Sequence, residues 1–177
     1  MTVLFRDFSG PRISPRGSVV CIGAFDGLHL GHRHLLAEAR RSADAGNLDL
    51  VVVSFEPLPR EFFGRADPPP RLIRARQKFR ALREAGADAI GLLRFNQALA
   101  DTSAEDFIEA LLVRRLNARQ VLVGPDFFFG KGRRGNLGML KDHGALHGFE
   151  AQGVQPQIQQ GERISSSLIR ADLQAGR

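Results

Sequence analysis

Short apolar runs alternate with stretches of helical periodicity along most of this chain, and that alternation restricts the possible folds more than any other feature of the sequence. Five apolar runs are predicted to be buried strands, at residues 18–22, 48–55, 88–93, 120–124 and 149–154. Helix signals accompany them at residues 30–46, 77–86, from 102 onward, 136–147 and 165–175. Residues 1–17, punctuated by Gly10, Pro11 and Pro15, are predicted to be irregular.

Strands that alternate with helices of about ten or more residues form βαβ units, whose strands lie parallel in a sheet covered on both faces. The predicted fold is therefore α/β and Rossmann-like, with a mostly parallel sheet flanked by helices. Such sheets bind ligands at the carboxyl ends of their strands, near the point where the strand order reverses. The loops after the first, second and fourth predicted strands are the places to look for a functional site.

The composition fits one domain and narrows the class of partner. The chain has 177 residues, predicted to form one domain over 1–177, and a formal net charge of +6. That charge suggests an anionic partner. The sequence contains no block of five or more like charges, so a nucleic-acid partner is not expected. Because no apolar stretch reaches about 20 residues and no signal-peptide core is present, a cytoplasmic chain with no membrane partner is expected. Cys21, the only cysteine, is predicted to be buried in a strand.

A glycine-rich loop follows the first predicted strand and leads into the first helix. Residues 23–32 read Gly-Ala-Phe-Asp-Gly-Leu-His-Leu-Gly-His. Gly23 and Gly27 permit tight or left-handed turns, and Gly31 lets a ligand approach the helix start closely. Because the N–H groups of a helix start favour an anion, this turn is a candidate phosphate site. The alternative is an ordinary glycine-rich turn between a strand and a helix.

Two histidines add hydrogen-bond donors to this loop. His29 and His32 are three residues apart and therefore lie on one face of the first helical turn. Donors directed at one place suit a polyphosphate, whose charge must be offset while a P–O bond breaks. Two surface histidines, or a zinc site with Asp26 as the nearby acidic ligand, are the alternatives that the residues themselves leave open.

A serine-rich segment near the end of the sequence is a second candidate phosphate site. Ser165, Ser166 and Ser167 come at the start of the last predicted helix, where serines act as caps and can bind phosphate oxygens. Arg170 lies one turn further on the same face. A capped helix with a solvated arginine is the simpler alternative.

Phenylalanines are concentrated in two predicted loops. Phe62 and Phe63 follow the second strand, and residues 127–129 follow the fourth. Their rings could stack on a large planar ligand, or they could close the core beneath long loops. Arg133 and neighbouring basic residues could bind an acceptor phosphate. The Gly-x-Gly-x-x-Gly match at 130–135 is not taken as a dinucleotide fingerprint, because that motif follows the first strand of a βαβ unit.

The segment at 23–32 resembles the signature of the nucleotidyltransferase superfamily that carries a His-x-Gly-His motif. The resemblance implies that His29 and His32 contact the ATP phosphates and stabilise the transition state. Residues 164–170 resemble the superfamily's Ile-Ser-Ser-Thr-x-Ile-Arg motif, with Ser167 in place of Thr, which implies that this segment binds the leaving pyrophosphate and that Arg170 is catalytic. The residues that the resemblance implies in ATP binding are Gly23, Phe25, Asp26, Gly27, Gly31, Ser165, Ser166 and Ser167.

Three further segments resemble prokaryotic FAD synthetases. Residues 54–63 look like that family's Phe-x-Pro-x-Pro-x-Glu-x-Phe segment, and residues 123–130 are similar to its Val-Gly-x-Asp/Asn-Phe-x-Phe-Gly loop. Residues 72–78 match a further stretch more loosely, and the whole resemblance runs from about residue 18 to 175. The residues that it implies in flavin binding are Phe55, Pro57, Phe62, Asp126, Phe127, Phe129 and Arg133.

The resemblance implies adenylyl transfer from ATP to FMN, which yields FAD and pyrophosphate. ATP and FMN are the expected substrates, Mg²⁺ or another divalent cation is the expected cofactor, and a monomer is favoured. Bacterial relatives usually continue into a C-terminal riboflavin kinase domain, which is expected to be absent because the chain stops at Arg177; Ala24 stands where relatives often have Asn. The alternatives are a related transferase acting on another phosphorylated acceptor, and a non-catalytic flavin- or nucleotide-binding module.

Overall fold

Six parallel strands form the central sheet. The computed structural model describes residues 1–64, 69–156, 158–159 and 162–176. The strands are β1 Val3–Phe5, β2 Ser18–Ile22, β3 Asp49–Glu56, β4 Ala89–Arg94, β5 Ala118–Val123 and β6 Glu150–Gly153. They are arranged in the order β1-β4-β3-β2-β5-β6, and every neighbouring pair is parallel. A small antiparallel pair, β7 Ile158–Gln159 and β8 Glu162–Arg163, lies outside this sheet.

Helices connect the strands, as the alternating pattern predicts. They are α1 Leu30–Gly46, α2 Pro59–Phe62, α3 Ala75–Glu84, α4 Gln97–Ala100, α5 Ala104–Asp106, α6 Leu137–His147 and α7 Ser166–Gln174. A π-helical segment, Phe107–Arg115, continues α5, and a single 3₁₀ turn is formed by Lys131–Arg133. Among the residues that the structure describes, no helix is both long enough and apolar enough to span a membrane.

Successive strand residues point to opposite sides of the sheet, and both sides are covered, so the sheet is buried on both faces. On one face, Val19 and Cys21 of β2 pack with α1 through its buried stripe and with Leu82 of α3. The other face carries Val20 and Ile22 of β2 and is covered by the π-helical segment and α6. The buried stripe of α1 consists of Leu35, Leu36, Ala39 and Ala43, the four residues predicted to share a face.

The strand order reverses direction next to β2. The chain passes from β2 to β3 and β4 on one side, and β5 then returns to pair with the other side of β2. The carboxyl ends of β2 and β5 therefore border the topological switch point, where ligands of open α/β sheets bind.

The predicted parallel α/β architecture is confirmed, and one local prediction is wrong. Residues 1–17 were predicted to be irregular, but Val3–Phe5 forms the edge strand β1 paired with β4. This strand has only three residues, and Val3 and Leu4 are exposed. Such a short segment carries no periodic signal of its own, and only pairing with a distant segment defines it as a strand.

Candidate active site

A cleft of about 240 Å³ opens at the carboxyl edge of the sheet, at the switch point between β2 and β5. Its walls come from the loops after β2, β5 and β6, the start of α1 and the residues that precede α7. The fold therefore brings together several residues that the sequence singles out from distant segments. Those that line the cleft are Gly23, Phe25, His29, Gly31, His32, Asp126, Phe127 and Ser165.

A larger and more open depression, of about 440 Å³, lies at the opposite, amino edge of the sheet. Its polar side chains are committed to one another: Arg40 is ion-paired with both Asp44 and Asp88, each at 2.8 Å. Ligands of parallel sheets bind at the carboxyl edge. The smaller cleft, where the motifs converge, is therefore the candidate active site.

The histidine loop, residues 23–29 between β2 and α1, has an unusual backbone. Phe25 and Leu28 have φ angles of 48° and 37°, a region that bulky side chains rarely adopt, yet both side chains are buried. Gly27 has a φ of 89°, and a Cβ atom there would lie 2.7 Å from the side chain of Leu72. Backbone strain that the surrounding packing maintains is typical of functional sites.

The two histidines stack face to face at the start of α1. His29 is the N-cap residue, and its ring centroid lies 3.7 Å from that of His32, with 24° between the planes. A Cβ atom at Gly31 would lie 3.1 Å from the His29 ring, so the glycine leaves room for this ring over the helix start. The rings are thus held together where the N–H groups of α1 favour an anion.

Burial lowers the pKa of His32 to about 3, and the neighbouring His29 ring acts in the same direction, whereas Asp26 acts against it. His32 is therefore a neutral imidazole at neutral pH. Among the described residues, its buried Nδ1 atom has no hydrogen-bond partner. A neutral ring at this position can donate one N–H to a phosphate oxygen, and a bound polyanion would favour its protonation.

Asp26 joins three segments of the chain. Its Oδ2 atom accepts hydrogen bonds from Arg60 and Arg170, each at 2.6 Å. Its Oδ1 atom accepts the backbone N–H groups of Leu72 and Ile73, at 3.0 and 3.2 Å. Burial raises the pKa of Asp26, but the hydrogen bonds from the two arginines and the two backbone N–H groups together outweigh it, and the pKa lies below its ordinary value. These four protein donors occupy the carboxylate, which favours a positioning role over direct contact of this side chain with ATP.

The serine segment docks onto the histidine loop. The hydroxyl of Ser166 donates to the backbone carbonyl of Asp26 at 2.7 Å, and Ser165 caps α7 by accepting the N–H of Leu168 at 3.2 Å. Arg170 is 8% exposed and also donates from Nε to the carbonyl of Pro70 at 2.8 Å. Arg170 is thus neither solvated nor bound only to its own helix, and its contact with leaving phosphates stays a prediction.

One aromatic cluster lies at the carboxyl ends of β3 and β4. Phe55 at the end of β3 packs edge-on against Phe95 after β4, and Phe95 also contacts Phe62 and Phe63. Phe63 is 65% exposed, so the cluster reaches the surface. Pro57, which lies between β3 and α2, is exposed as well. The sequence predicts two of these rings, Phe55 and Phe62, as flavin-binding residues.

A second aromatic cluster lies in the phenylalanine loop, residues 124–136 between β5 and α6. Phe127 lines the cleft and stacks on Phe129, which is buried and packs against Phe107 of the π-helical segment. Phe129 therefore supports Phe127 from the core. Phe128 is 47% exposed, and the guanidinium of Arg133 lies over its ring at 5.0 Å.

Three groups of residues without a predicted site role surround the histidine loop, although several of them lie in the segments 54–63 and 72–78. Arg60 binds Asp26, Arg71 forms ion pairs with Glu56 and Glu61, and Lys78 contacts Ser54. Lys78 had a detectable signal, because it lies four residues before the buried Leu82 on the apolar face of α3, where helical spacing predicts an apolar residue. The ion pairs of Arg60 and Arg71 had no such signal in the sequence, because their acidic partners lie on other segments of the chain.

Known proteins resemble this chain over most of its length. The family model for FAD synthetase matches residues 12–168. The bifunctional riboflavin kinase/FMN adenylyltransferase of Escherichia coli (strain K12) is 41% identical over 157 residues, which cover 89% of this chain and 50% of that protein. The protein of the same name from Pseudomonas fluorescens is 40% identical over 172 residues, covering 97% and 55%. The chain thus spans about half the length of the curated relatives it matches.

Solved structures agree with the fold. A Streptococcus pneumoniae protein described as a macrolide-efflux protein is 26% identical, with a TM-score of 0.82 over 97% of this chain and 57% of its own. Pantoate-beta-alanine ligase from Francisella tularensis shares the fold alone, at 13% identity and a TM-score of 0.63, covering 99% of this chain and 77% of its own. With the stacked histidines at the switch point and the family match from residue 12 to 168, the chain belongs to the FAD synthetase family.

Proposed function

We propose that this chain transfers the adenylyl group of ATP to the phosphate of FMN, producing FAD and pyrophosphate. One observation carries the proposal: the stacked pair His29 and His32 lies at the start of α1, in the cleft at the switch point. Family membership and the names of the relatives support FMN as the acceptor.

The residues that line the cleft support the proposal that it binds ATP. Ile22, Leu35 and Val154 provide apolar surface that suits a nucleoside, between glycines at the ends of β2 and β5. The triphosphate would then extend toward the start of α1, where N–H groups and imidazoles offset negative charge. Ser165 lies on the same wall, and its neighbours Ser166 and Ser167 are proposed to meet the leaving phosphates.

The acceptor part of the proposal rests on the two aromatic clusters. In the sheet, β3 and β4 lie on one side of β2 and β5 lies on the other, so the clusters flank the carboxyl end of β2. A flavin ring system is planar and apolar enough to bind against such rings. Phe62 and Phe127 are proposed as the ring contacts, with Phe129 behind Phe127. Asp126 and Arg133 are proposed to bind the polar parts of FMN.

The chemical step needs no nucleophilic side chain. An oxygen of the FMN phosphate attacks the α-phosphorus of ATP, the bond from that phosphorus to the bridging oxygen breaks, and pyrophosphate leaves with the electron pair. A phosphomonoester has its second pKa near 6, so the attacking group is already largely deprotonated at neutral pH. The chain therefore contributes orientation and charge neutralisation, through His29, His32 and the segment that carries Arg170.

Mg²⁺ or another divalent cation is part of the proposal as a companion of ATP. In the described ranges, no group of three or more His, Cys, Asp or Glu side chains is arranged to hold a metal ion. Mg²⁺ usually keeps several waters and is held by substrate phosphates plus one or two carboxylates. We assign it to the nucleotide, where it would screen phosphate charge.

Because ATP and FMN are cellular metabolites, the cytoplasm stays the predicted location.

The test is direct. Purified chain is incubated with ATP, MgCl₂ and FMN, and FAD and pyrophosphate are measured by chromatography and a coupled assay. Equal amounts of both products are expected, with formation slower by on the order of 10² to 10³ in a parallel reaction of His32→Ala. Adenylylation of phosphopantetheine or glycerol phosphate in place of FMN would assign another acceptor, and binding of flavin without turnover would indicate a binding module.

A further inference from the structure

A lysine is buried beneath the candidate active site. Lys78 lies on α3 and is 1% exposed, which places it among the largest fully buried side chains of the described residues. Lysine is almost never fully buried unless it is paired. Its Nζ atom donates to the neutral hydroxyl of Ser54 on β3 at 3.2 Å. The lysine therefore needs an explanation beyond the packing of α3.

The contact with Ser54 extends to the histidine loop. Ser54 is itself fully buried, and its hydroxyl donates to the carbonyl of Ala24 at 3.0 Å. The neighbouring N–H of Gly23 donates to the carbonyl of Val53 at 3.1 Å. Lys78, Ser54 and Ala24 thus form a relay that joins α3, through β3, to the loop that carries His29.

The charge of Lys78 acts on the same place. Burial lowers the pKa of Lys78 below its ordinary value, and Arg71 acts in the same direction, while Glu56, Asp26 and Glu61 act against it. Lys78 is also close enough to His32 to help lower the pKa of that ring, together with burial and His29. A positive charge beneath the histidine loop would attract a polyphosphate that lies above it.

A purely structural role explains Lys78 poorly. Burying an ammonium group is unfavourable unless strong partners offset it, and an apolar side chain of similar size often packs as well or better. We propose that Lys78 is a positioning residue for the adenylyl transfer, which holds the histidine loop through Ser54 and supplies a buried positive charge beneath the bound triphosphate. This inference rests on the proposed function and adds to it a residue outside the His-x-Gly-His and serine segments.

Three variants distinguish the effect of the Lys78 charge from that of the hydrogen bond to Ser54 and from that of any charge lost on α3. Lys78→Met removes the charge at nearly constant length, Ser54→Ala breaks the relay but keeps the charge, and Arg80→Met removes a charge from an exposed position of α3. For each, kcat and KM for ATP and FMN are measured, with the thermal midpoint and an NMR titration of His32. The thermal midpoint reveals any loss of the fold.

For Lys78→Met we expect kcat to fall at least tenfold, KM for ATP to rise, and KM for FMN to change less than twofold. The thermal midpoint should stay equal or rise, and His32 should begin to protonate at a higher pH than in the parent chain. Ser54→Ala should lower kcat without that titration change, and Arg80→Met should change nothing. A folded Lys78→Met chain with kcat within twofold of the parent would overturn the proposal, and so would one that fails to fold.

The readouts also separate this inference from the proposed function. If the parent chain makes no FAD, the proposed function fails, and the role of Lys78 in that transfer fails with it. ATP affinity and the His32 titration, both measured without FMN, still show whether the Lys78 charge acts on the phosphate site. If the parent chain makes FAD but Lys78→Met matches it in all readouts, only the inference fails.

Discussion

The histidine loop and the phenylalanine loop leave neighbouring strands and border the same cleft, yet different forces hold them. The histidine loop is fixed from outside itself: Arg60 and Arg170 bind its Asp26, and Ser166 and Ser54 donate to its backbone carbonyls. Its Phe25 and Leu28 side chains are buried. The phenylalanine loop is closed by reciprocal backbone hydrogen bonds between Phe129 and Gly135 at 3.1 and 2.8 Å, and it is anchored by the packing of Phe129 on Phe107 and by a backbone hydrogen bond from Lys131 to Thr102 at 2.8 Å.

This difference matches what each loop is proposed to bind. Groups that neutralise charge in a transition state must be held in place beforehand, because reorganisation during the reaction would reduce their effect. A planar ring can be bound by stacking, which tolerates small displacements in the plane. We therefore expect substitutions around the histidine loop to reduce kcat, and substitutions in the phenylalanine loop to raise KM for the acceptor.

The largest effect is expected from Asp26→Asn, which preserves shape but removes the charge shared by Arg60 and Arg170. Removing one partner of a buried ion pair typically destabilises a protein by about 3–5 kcal/mol. The free energy of unfolding, measured with urea, should fall by about 3 kcal/mol or more, and FAD formation should be lost. The control is Asp126→Asn in the exposed loop, which should retain stability. An Asp26→Asn chain as stable and active as the parent would show that Asp26 does not organise the site.

His32→Ala should reduce kcat without unfolding the chain. Losing one preorganised donor to a transition state typically lowers the rate by on the order of 10² to 10³. Steady-state kinetics measure the loss, and far-UV circular dichroism checks the fold. His34→Ala, on the same helix but outside the cleft lining, is the matched control. Near-normal turnover of His32→Ala would show that the phosphate contact assigned to His32 is wrong.

The stability of the chain in acid should depend on His32, because burial keeps its imidazole neutral in the folded state. Its pKa is about 3 in the folded chain and near 6.5 when unfolded, so the unfolded chain binds the extra proton between these values. Stability should therefore fall as the pH drops below about 6.5, by up to about 1.4 kcal/mol per pH unit.

His32→Asn should flatten this dependence between pH 7 and 5, where carboxylates remain ionised. Urea unfolding at each pH measures it. Equal slopes for the parent and His32→Asn would mean that the imidazole is not buried in the neutral form.

The smallest effect is expected from Phe127→Ala. Loss of one aromatic contact is worth about 0.5–1.5 kcal/mol, which corresponds to at most about a tenfold rise in KM for FMN. The change in kcat and in KM for ATP should be smaller. Phe128→Ala tests the neighbouring exposed ring and should be nearly neutral. An equal rise in KM for ATP would place Phe127 against the nucleotide instead.

Local features of the sequence were enough to predict the layered architecture. The strands β2 to β6 are predicted from short apolar runs, and the stripe of α1 from helical spacing of 3.6 residues; both signals depend only on near neighbours. The same reasoning placed His29 and His32 on the first turn of a helix that follows a strand. Because parallel strands end at one edge, it also placed Phe127 near them, whereas only the family resemblance implied that Ser165 shares their site; both residues line the cleft.

Tertiary structure alone decided how the histidine loop is held. Asp26 meets Arg60 and Arg170, which lie 34 and 144 residues away along the chain, and the many charged residues of the sequence offer no rule for choosing these partners. Phe129 belongs to the core although its loop suggested a ligand contact, because packing against Phe107 is a long-range event. Lys78 could be recognised as an anomaly on an apolar helix face. Its partner Ser54 was determined by the packing of α3 against the sheet, since only burial forces an ammonium group to use the hydroxyl that the fold brings to it.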